Sequence, residues 1–482
     1  MLVAFSDLHL SDEKTAVNVH PSAFTRTMKK LIMVNRDKDR DNSNTQIKEI
    51  IIVLLGDIFD FVRTDYWLDE DKINVSERPW NGTIDKESGM NSGSKNLEKH
   101  FTNVLEDIFN TGSSKAFFDT LNFIKTDSNI PVKIVYVIGN HDRILNNYIS
   151  LQNKIAAKFG DYAYKTAGKK DEIVFVNEYM NKDYAVFCRH GHEWDEDNYG
   201  FELHNLLNLK NKQKDSKFDN SNNSYNSVNK IQSIGEMITS ELMSGIIYRL
   251  KGKVKKNFLD TLKNLNNVRP MTDAFNWLFW YGSSMKSNQS GDRNLLFKEF
   301  KNSLVSVLNS GLSERWSKTE VFDITAYLNG LLLFIKNLDF NNASDFVNAT
   351  NSIKKIKNKF KNPKDSLLNG AKDDFSKINS SNNDNKKIKP DNRIQYILYG
   401  HTHEARNDYF DGFIDGSVEM YINTGTFLPY IQMTKNDTFA SAHQMTMVFI
   451  YMRDEDTEDN IVNKNPTLDL WNGIKRKEYI VK

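Results

Sequence analysis

Cysteine is almost absent from this 482-residue chain: Cys188 stands alone, so no disulfide can form within it. It lies in the apolar run YAVFC at 184–188 and reads as a small core hydrophobe. A chain without disulfides suits a reducing compartment. Charge of one sign is also lacking. Lys and Arg number 64 against 63 Asp and Glu, a formal net charge of +1. Net charge therefore gives no reason to expect nucleic-acid or membrane binding, and any basic surface must be local. Long hydrophobic runs are missing too. A stretch such as LLLFI at 331–335 is far short of the roughly 20 residues a membrane span needs. The chain opens on LVAFSDLHL with no basic region before it, which reads as a first strand and not as a signal peptide. A cytoplasmic protein with no transmembrane segment is expected.

What is present suffices for a sizeable core, with 39% hydrophobic and 12% aromatic residues. The length allows two or three domains, or one domain with a large insertion. Short runs rich in Val, Ile, Phe and Tyr occur at 2–5, 50–55, 132–138, 172–176, 185–188, 394–398, 420–422 and 445–451, as buried strands do. Helical spacing between them, as at 97–110 and 116–125, predicts an α/β layered core. From about 200 to 390 the strand signal fades. Polar, low-complexity stretches at 211–230 and 371–390 have linker composition, and smaller polar insertions stand at 37–47 and 79–96. Between the linkers, Ser233 and Glu236 have capping-box spacing. Ile238, Leu242 and Ile246 then recur on one helical side, beside Met243, Ile247 and Leu250. Further helical runs cover 258–265, 295–308 and 321–338. The expected organisation is an α/β domain in two parts, 1–200 and 391–482, around an all-α insertion at 201–390.

Five short segments carry chemistry: SDLH (Asp7, His9), GDIFD (Asp57, Asp60), GNHD (Asn140, His141, Asp142), RHGH (His190, His192) and GHTH (His401, His403). Each follows a predicted strand, and ligands gather at the carboxyl ends of strands in layered α/β proteins. Imidazole and carboxylate suit borderline divalent metals. Taken singly, each segment reads as a turn, a cap or a loop. As a set they hold six of the ten histidines, a concentration that packing does not explain.

In order and residue type these segments resemble the calcineurin-like metallophosphoesterases, whose pattern runs D-x-H, G-D-x-x-D, G-N-H-[DE], a His next to Gly, and G-H-x-H. The resemblance covers about 1–200 and 391–450. It implies a four-layered β-sandwich of two mixed sheets flanked by helices. It also implies two divalent ions, manganese first, with iron, zinc or a mixed pair as alternatives. One ion would take Asp7, His9, Asp57 and His403. The other would take Asp57, Asn140, His190 and His401, with Asp57 bridging. His190 is preferred to His192 because it follows the strand directly. Asp60 and Asp142 are expected to accept hydrogen bonds from ligand or catalytic imidazoles; for Asp60 a helix N-terminal carboxylate is the alternative. Gly425 in NTGTF would supply a turn.

The expected reaction is hydrolysis of a phosphate ester by a hydroxide bridging two ions, with His141 as general acid and Asp142 beside it. SDLHL and GNHDR look like the bacterial enzymes that cleave UDP-diacylglucosamine, apart from the insertion. A nuclease similar to the double-strand-break-repair enzymes and a non-catalytic scaffold on the same fold are the alternatives. The aromatic run FNWLFWYG at 275–282 reads as subdomain core ahead of a substrate or partner wall. IKKIKNKFKNPK at 353–364 reads as a solvated helix end, with anionic lipid or nucleic acid as the alternative contact. Arg143 is placed to meet a substrate phosphate.

Overall fold

The computed structural model describes residues 1–37, 47–128, 130–159, 164–166, 169–171, 173–208, 224–271, 273–285, 290–318, 332, 363–380, 393–414, 416–456 and 463–477. The chain is mixed α/β with two multi-stranded mixed sheets. Strands are numbered in chain order: β1 Leu2–Phe5, β2 Ile50–Leu55, β3 Val132–Val137, β4 Tyr164–Thr166, β5 Lys169–Asp171, β6 Val174–Val176, β7 Glu178–Asn181, β8 Val186–Arg189, β9 Tyr396–Tyr399, β10 Ala405–Gly412, β11 Val418–Thr424, β12 Pro429–Met433, β13 Phe439–Tyr451 and β14 Thr467–Lys477. The first sheet runs β12-β13-β1-β2-β3-β6, with β14 on β13; the second runs β10-β11-β9-β8-β7. Pairings within β1-β2-β3-β6 and within β11-β9-β8 are parallel. Parallel strands lie buried on both faces, which is why β2 is the unbroken run IIIVLL.

Side chains alternate across that sheet. Leu2, Ala4, Ile51, Val53, Leu55, Val135 and Val137 pack against Val186, Cys188, Leu398 and Ile422 of the second sheet. Val3, Phe5, Ile50, Ile52, Leu54, Ile134 and Tyr136 join the larger core with the helices on the other side. The outer face of the second sheet is covered by helix Pro363–Ser380, whose Leu367, Ala371 and Phe375 pack on Phe187, Ile397, Tyr399 and Tyr421.

Among the described residues, no named strand falls between β8 and β9; helices fill the interval. Ser233 and Glu236 form the expected capping box. The run at 275–282 packs inward: Phe275, Trp277, Phe279 and Tyr281 are buried, and Trp280 is partly buried. Two linker expectations fail in part. Residues 371–380 are helix, with an apolar stripe hidden in polar composition, and Ser224–Val228 is a short helix. The polar segment 79–96 likewise buries Trp80, Ile84 and Met90. The expected helix at 321–338 (Leu332 apart) and nearly all of 353–364 lie outside the described residues. No helix among the described residues is long and apolar enough to cross a membrane.

Phe375 is 2% exposed, and its truncation leaves a cavity between helix and sheet. Phe375→Ala is expected to cost about 3 kcal/mol or more in urea unfolding. An unchanged midpoint would show that this helix is not part of the core.

Candidate metal centre

All seven expected ligands meet at one edge of the two sheets, at the carboxyl ends of β1, β2, β3, β8 and β9. Their side chains are arranged with lone pairs facing one another. His9 Nδ1 is committed to Asp60 Oδ2 at 2.8 Å, which turns its Nε2 lone pair inward. That atom lies 2.8 Å from His403 Nε2 and 3.7 Å from both Asp7 Oδ1 and Asp57 Oδ2. His403 Nε2 is 3.5 Å from Asp7 Oδ1. Asp7 Oδ1 is buried without a hydrogen-bond partner among the described residues.

A second cluster abuts the first through Asp57. His190 Nδ1 donates to the Leu55 carbonyl at 2.9 Å, so Nε2 faces Asp57 Oδ2 at 3.3 Å and Asn140 Oδ1 at 3.2 Å. The Asn140 amide donates to Asn198 Oδ1 at 3.3 Å, which aims its oxygen inward. His401 Nε2 is held by Asp195 Oδ2 at 2.9 Å, leaving Nδ1 3.0 Å from Asn140 Oδ1. Acceptors facing acceptors in a buried site repel unless a proton or a metal cation lies between them. The donor atoms also fit divalent metals by type: imidazole nitrogen, carboxylate and one amide oxygen. Asp7, His9 and His403 form one set able to hold an ion, and Asp57, His190 and His401 another. A third grouping adds His141 to His9 and Asp57. There His141 Nδ1 is already committed to Asp60 Oδ2 at 3.0 Å.

The electrostatics agree with a cation-seeking pocket. Burial works against the Asp57 charge, but His190, His141 and His9 hold it well below the ordinary carboxylate range. Burial also works against a charged His190, yet Asp57 lifts it to about 10. A metal ion at His190 Nε2 would have to displace that proton. His403 is pushed well down by burial, then by Arg269 and His9, which keeps its nitrogen free of a proton.

The backbone is bent to make this possible. Asp7, His9, Asp57, His401 and His403 all have positive φ, between 44° and 72°. Asp tolerates the left-handed region better than most residues, but each such residue still costs about 1–3 kcal/mol unless its surroundings impose it. Two glycines allow close approach. Gly56 has φ 84°, and a Cβ there would lie 2.3 Å from His190 Nδ1; a Cβ on Gly139 would lie 2.3 Å from Asp57 Oδ1. Gly425, φ 64°, supplies the expected turn, and beside it Thr426 Oγ1 donates to the Asp7 carbonyl at 2.6 Å.

Three expectations need correction. Asp142 touches no imidazole: its oxygens accept from Ile58 N, Gly139 N and Tyr136 Oη, and burial with the nearby Asp57 raises it to about 7. It shapes the loop. Asp60 orients the histidines, its Oδ2 lying 2.8 Å from His9 Nδ1 and 3.0 Å from His141 Nδ1. Its other oxygen accepts from Val62 N and Arg63 N in a turn where no helix begins, so the helix N-terminal alternative fails. Arg143 is spoken for: it pairs with buried Glu236 at 2.7 Å and donates to the Lys230 carbonyl, tying the GNHD loop to the helical region. His192 stays behind the ligands, its ring 5.5 Å from His190 and 6.4 Å from His401.

Sequence reasoning missed Asp195, Arg63 and Arg269. Arg63 Nε is 3.0 Å from Asp60 Oδ2, and both Nη atoms are buried without a hydrogen-bond partner among the described residues. Arg269 Nη2 donates to His403 Nε2 at 3.1 Å. Asp195 lies five residues past His190 in an acidic stretch, a weak signal; nothing local marks the arginines.

Compared with known proteins, the chain matches no family model and no curated protein.

Gly139→Ala is expected to fold with an unchanged circular dichroism spectrum while manganese affinity falls by about 10- to 100-fold in calorimetry, the usual effect of displacing a ligand's support. Wild-type affinity in that variant would contradict the crowding argument.

Proposed function

We propose that this protein is a metal-dependent hydrolase of phosphate esters, with the four-layered fold of the calcineurin-like metallophosphoesterases interrupted by a helical insertion. The observation that carries the reading is the convergence of seven lone-pair donors on two adjoining positions that share Asp57. Asp7, His9, Asp57 and His403 would hold one ion, and Asp57, Asn140, His190 and His401 the other, with manganese as the first candidate. Two such ions, when bound, supply Lewis-acid polarisation of a phosphoryl oxygen and a lowered pKa for water.

The remaining chemistry belongs to the chain. His141 lies at the rim, 9% exposed, with Nδ1 fixed on Asp60 Oδ2 at 3.0 Å. Nε2 is then the nitrogen left to hold a proton and give it to the departing oxygen. Burial opposes the Asp60 charge, but His141 and Arg63 keep that carboxylate well below its ordinary range. A carboxylate of this kind fixes the ring's tautomer and orientation. Asp195 does the same for His401, whose Nε2 it engages at 2.9 Å. Of the seven candidate ligands, all but His401 are buried.

The test uses the full chain with manganese, assayed on p-nitrophenyl phosphate, bis-p-nitrophenyl phosphate and single-stranded DNA. Hydrolysis of the nitrophenyl esters that chelation abolishes and manganese restores is expected. Bound metal with no hydrolysis would replace the enzyme by a scaffold, and cleavage of DNA alone would make it a nuclease.

His141→Ala should keep its bound manganese and lose about 10²- to 10⁴-fold in turnover of an ester with a poor leaving group. The loss should shrink for the nitrophenyl esters, whose leaving group needs no proton. Full activity on both would remove His141 from the mechanism.

A further inference from the structure

The helical region is stitched to the metal loops. Ser240 Oγ donates to the Val62 carbonyl, Glu236 pairs with Arg143, and Glu241 takes Arg78 and Trp80. Val268 bridges to Ile431, and Arg269 N donates to the Ile431 carbonyl at 2.8 Å. These contacts deliver the Arg269 side chain to the ligand edge. Its Nη1 is held by the carbonyls of Asn266 and Val268, both at 2.9 Å, while Nη2 reaches His403 Nε2 at 3.1 Å.

That last contact conflicts with metal binding. His403 Nε2 has one lone pair, and it is the same lone pair that faces His9 Nε2 and Asp7 Oδ1. It can serve a guanidinium or an ion, not both. If the ion takes it, Arg269 keeps its backbone tether and is left with a free Nη2 beside the centre. Arg63 is in a similar position, with both Nη atoms buried and without a hydrogen-bond partner among the described residues. The Arg63 charge opposes that of Arg269, and Asp7 and Asp57 attract both. Like charges held close together call for an anion near them. Asp60 pairs with Arg63; two divalent ions would take up Asp7 and Asp57 and leave the site with a positive excess.

We propose that Arg269, backed by Arg63, binds the phosphoryl oxygens of the substrate, so that the helical region supplies the anion-recognising residue of the metal centre. The proposal rests on the phosphoesterase reading. A guanidinium presents paired donors that match two phosphoryl oxygens, which a lysine cannot do. A monoester has three free oxygens, enough to meet both the guanidinium and the ions, where an internal diester has two, so the preferred substrate class is a phosphate monoester.

The test compares wild type, Arg269→Ala and Arg269→Lys as full-length proteins, by calorimetry with manganese alone and then with inorganic phosphate added to the loaded protein. Arg269→Ala should bind manganese at least as tightly as wild type, because a competing cation has been removed. Its phosphate affinity should fall by about 10- to 100-fold, as when a charged hydrogen-bond partner is lost, with Arg269→Lys in between. KM for p-nitrophenyl phosphate should rise more than KM for the diester. Unchanged phosphate affinity on a loaded Arg269→Ala protein would overturn the proposal and leave the metal reading standing. A parallel loss of manganese affinity would reduce Arg269 to a structural role. No manganese binding by the wild type would remove the functional reading and the proposal together.

Discussion

Everything at this edge of the molecule depends on mutual repulsion among buried acceptors. His9, His403, Asp7, Asp57, Asn140, His190 and His401 turn ring nitrogens and side-chain oxygens towards one another, and each is held in that pose by a second bond on its far side or by its loop. Asp60 holds His9, Leu55 holds His190, Asn198 holds Asn140, and Asp195 holds His401. An unmet buried acceptor costs about 1–3 kcal/mol. A divalent cation would offset that cost at several atoms at once.

The strain extends into the backbone. Five of the seven residues sit in the left-handed region, where strand ends turn sharply enough to aim consecutive side chains at a shared point. Such conformations persist only when packing imposes them. Here the two sheets do so from below, through a shared apolar layer. The helical region acts from the side, through Glu236 on Arg143 and Ser240 on Val62. The helices between β8 and β9 are thus part of the scaffold that shapes the site.

Much of this could be read from the chain before any coordinates. The candidate ligands were visible because each stands where a strand run ends; the same runs predicted an α/β layered core, and the two mixed sheets were what the resemblance implied. His190 was separable from His192 by its place directly after a strand. Other features were hidden for physical reasons. Strand β10, ARNDYFDG, lies half-exposed at a sheet edge, so no apolar pattern marks it. The stripe Leu367, Ala371, Phe375 is thin against its lysines and aspartates. Asp142 and Arg143 adjoin the motif but point away from it, because Tyr136 and Glu236 bind them. Arg269 meets His403 across 134 positions, and no spacing rule reaches that far.

The central claim is that two ions bind here and share one carboxylate. Anomalous diffraction from manganese-soaked crystals tests it most directly. The account predicts two peaks on either side of Asp57, one beside Asp7, His9 and His403, the other beside Asn140, His190 and His401. A single peak, peaks that do not share Asp57, or no peak at this edge would contradict it.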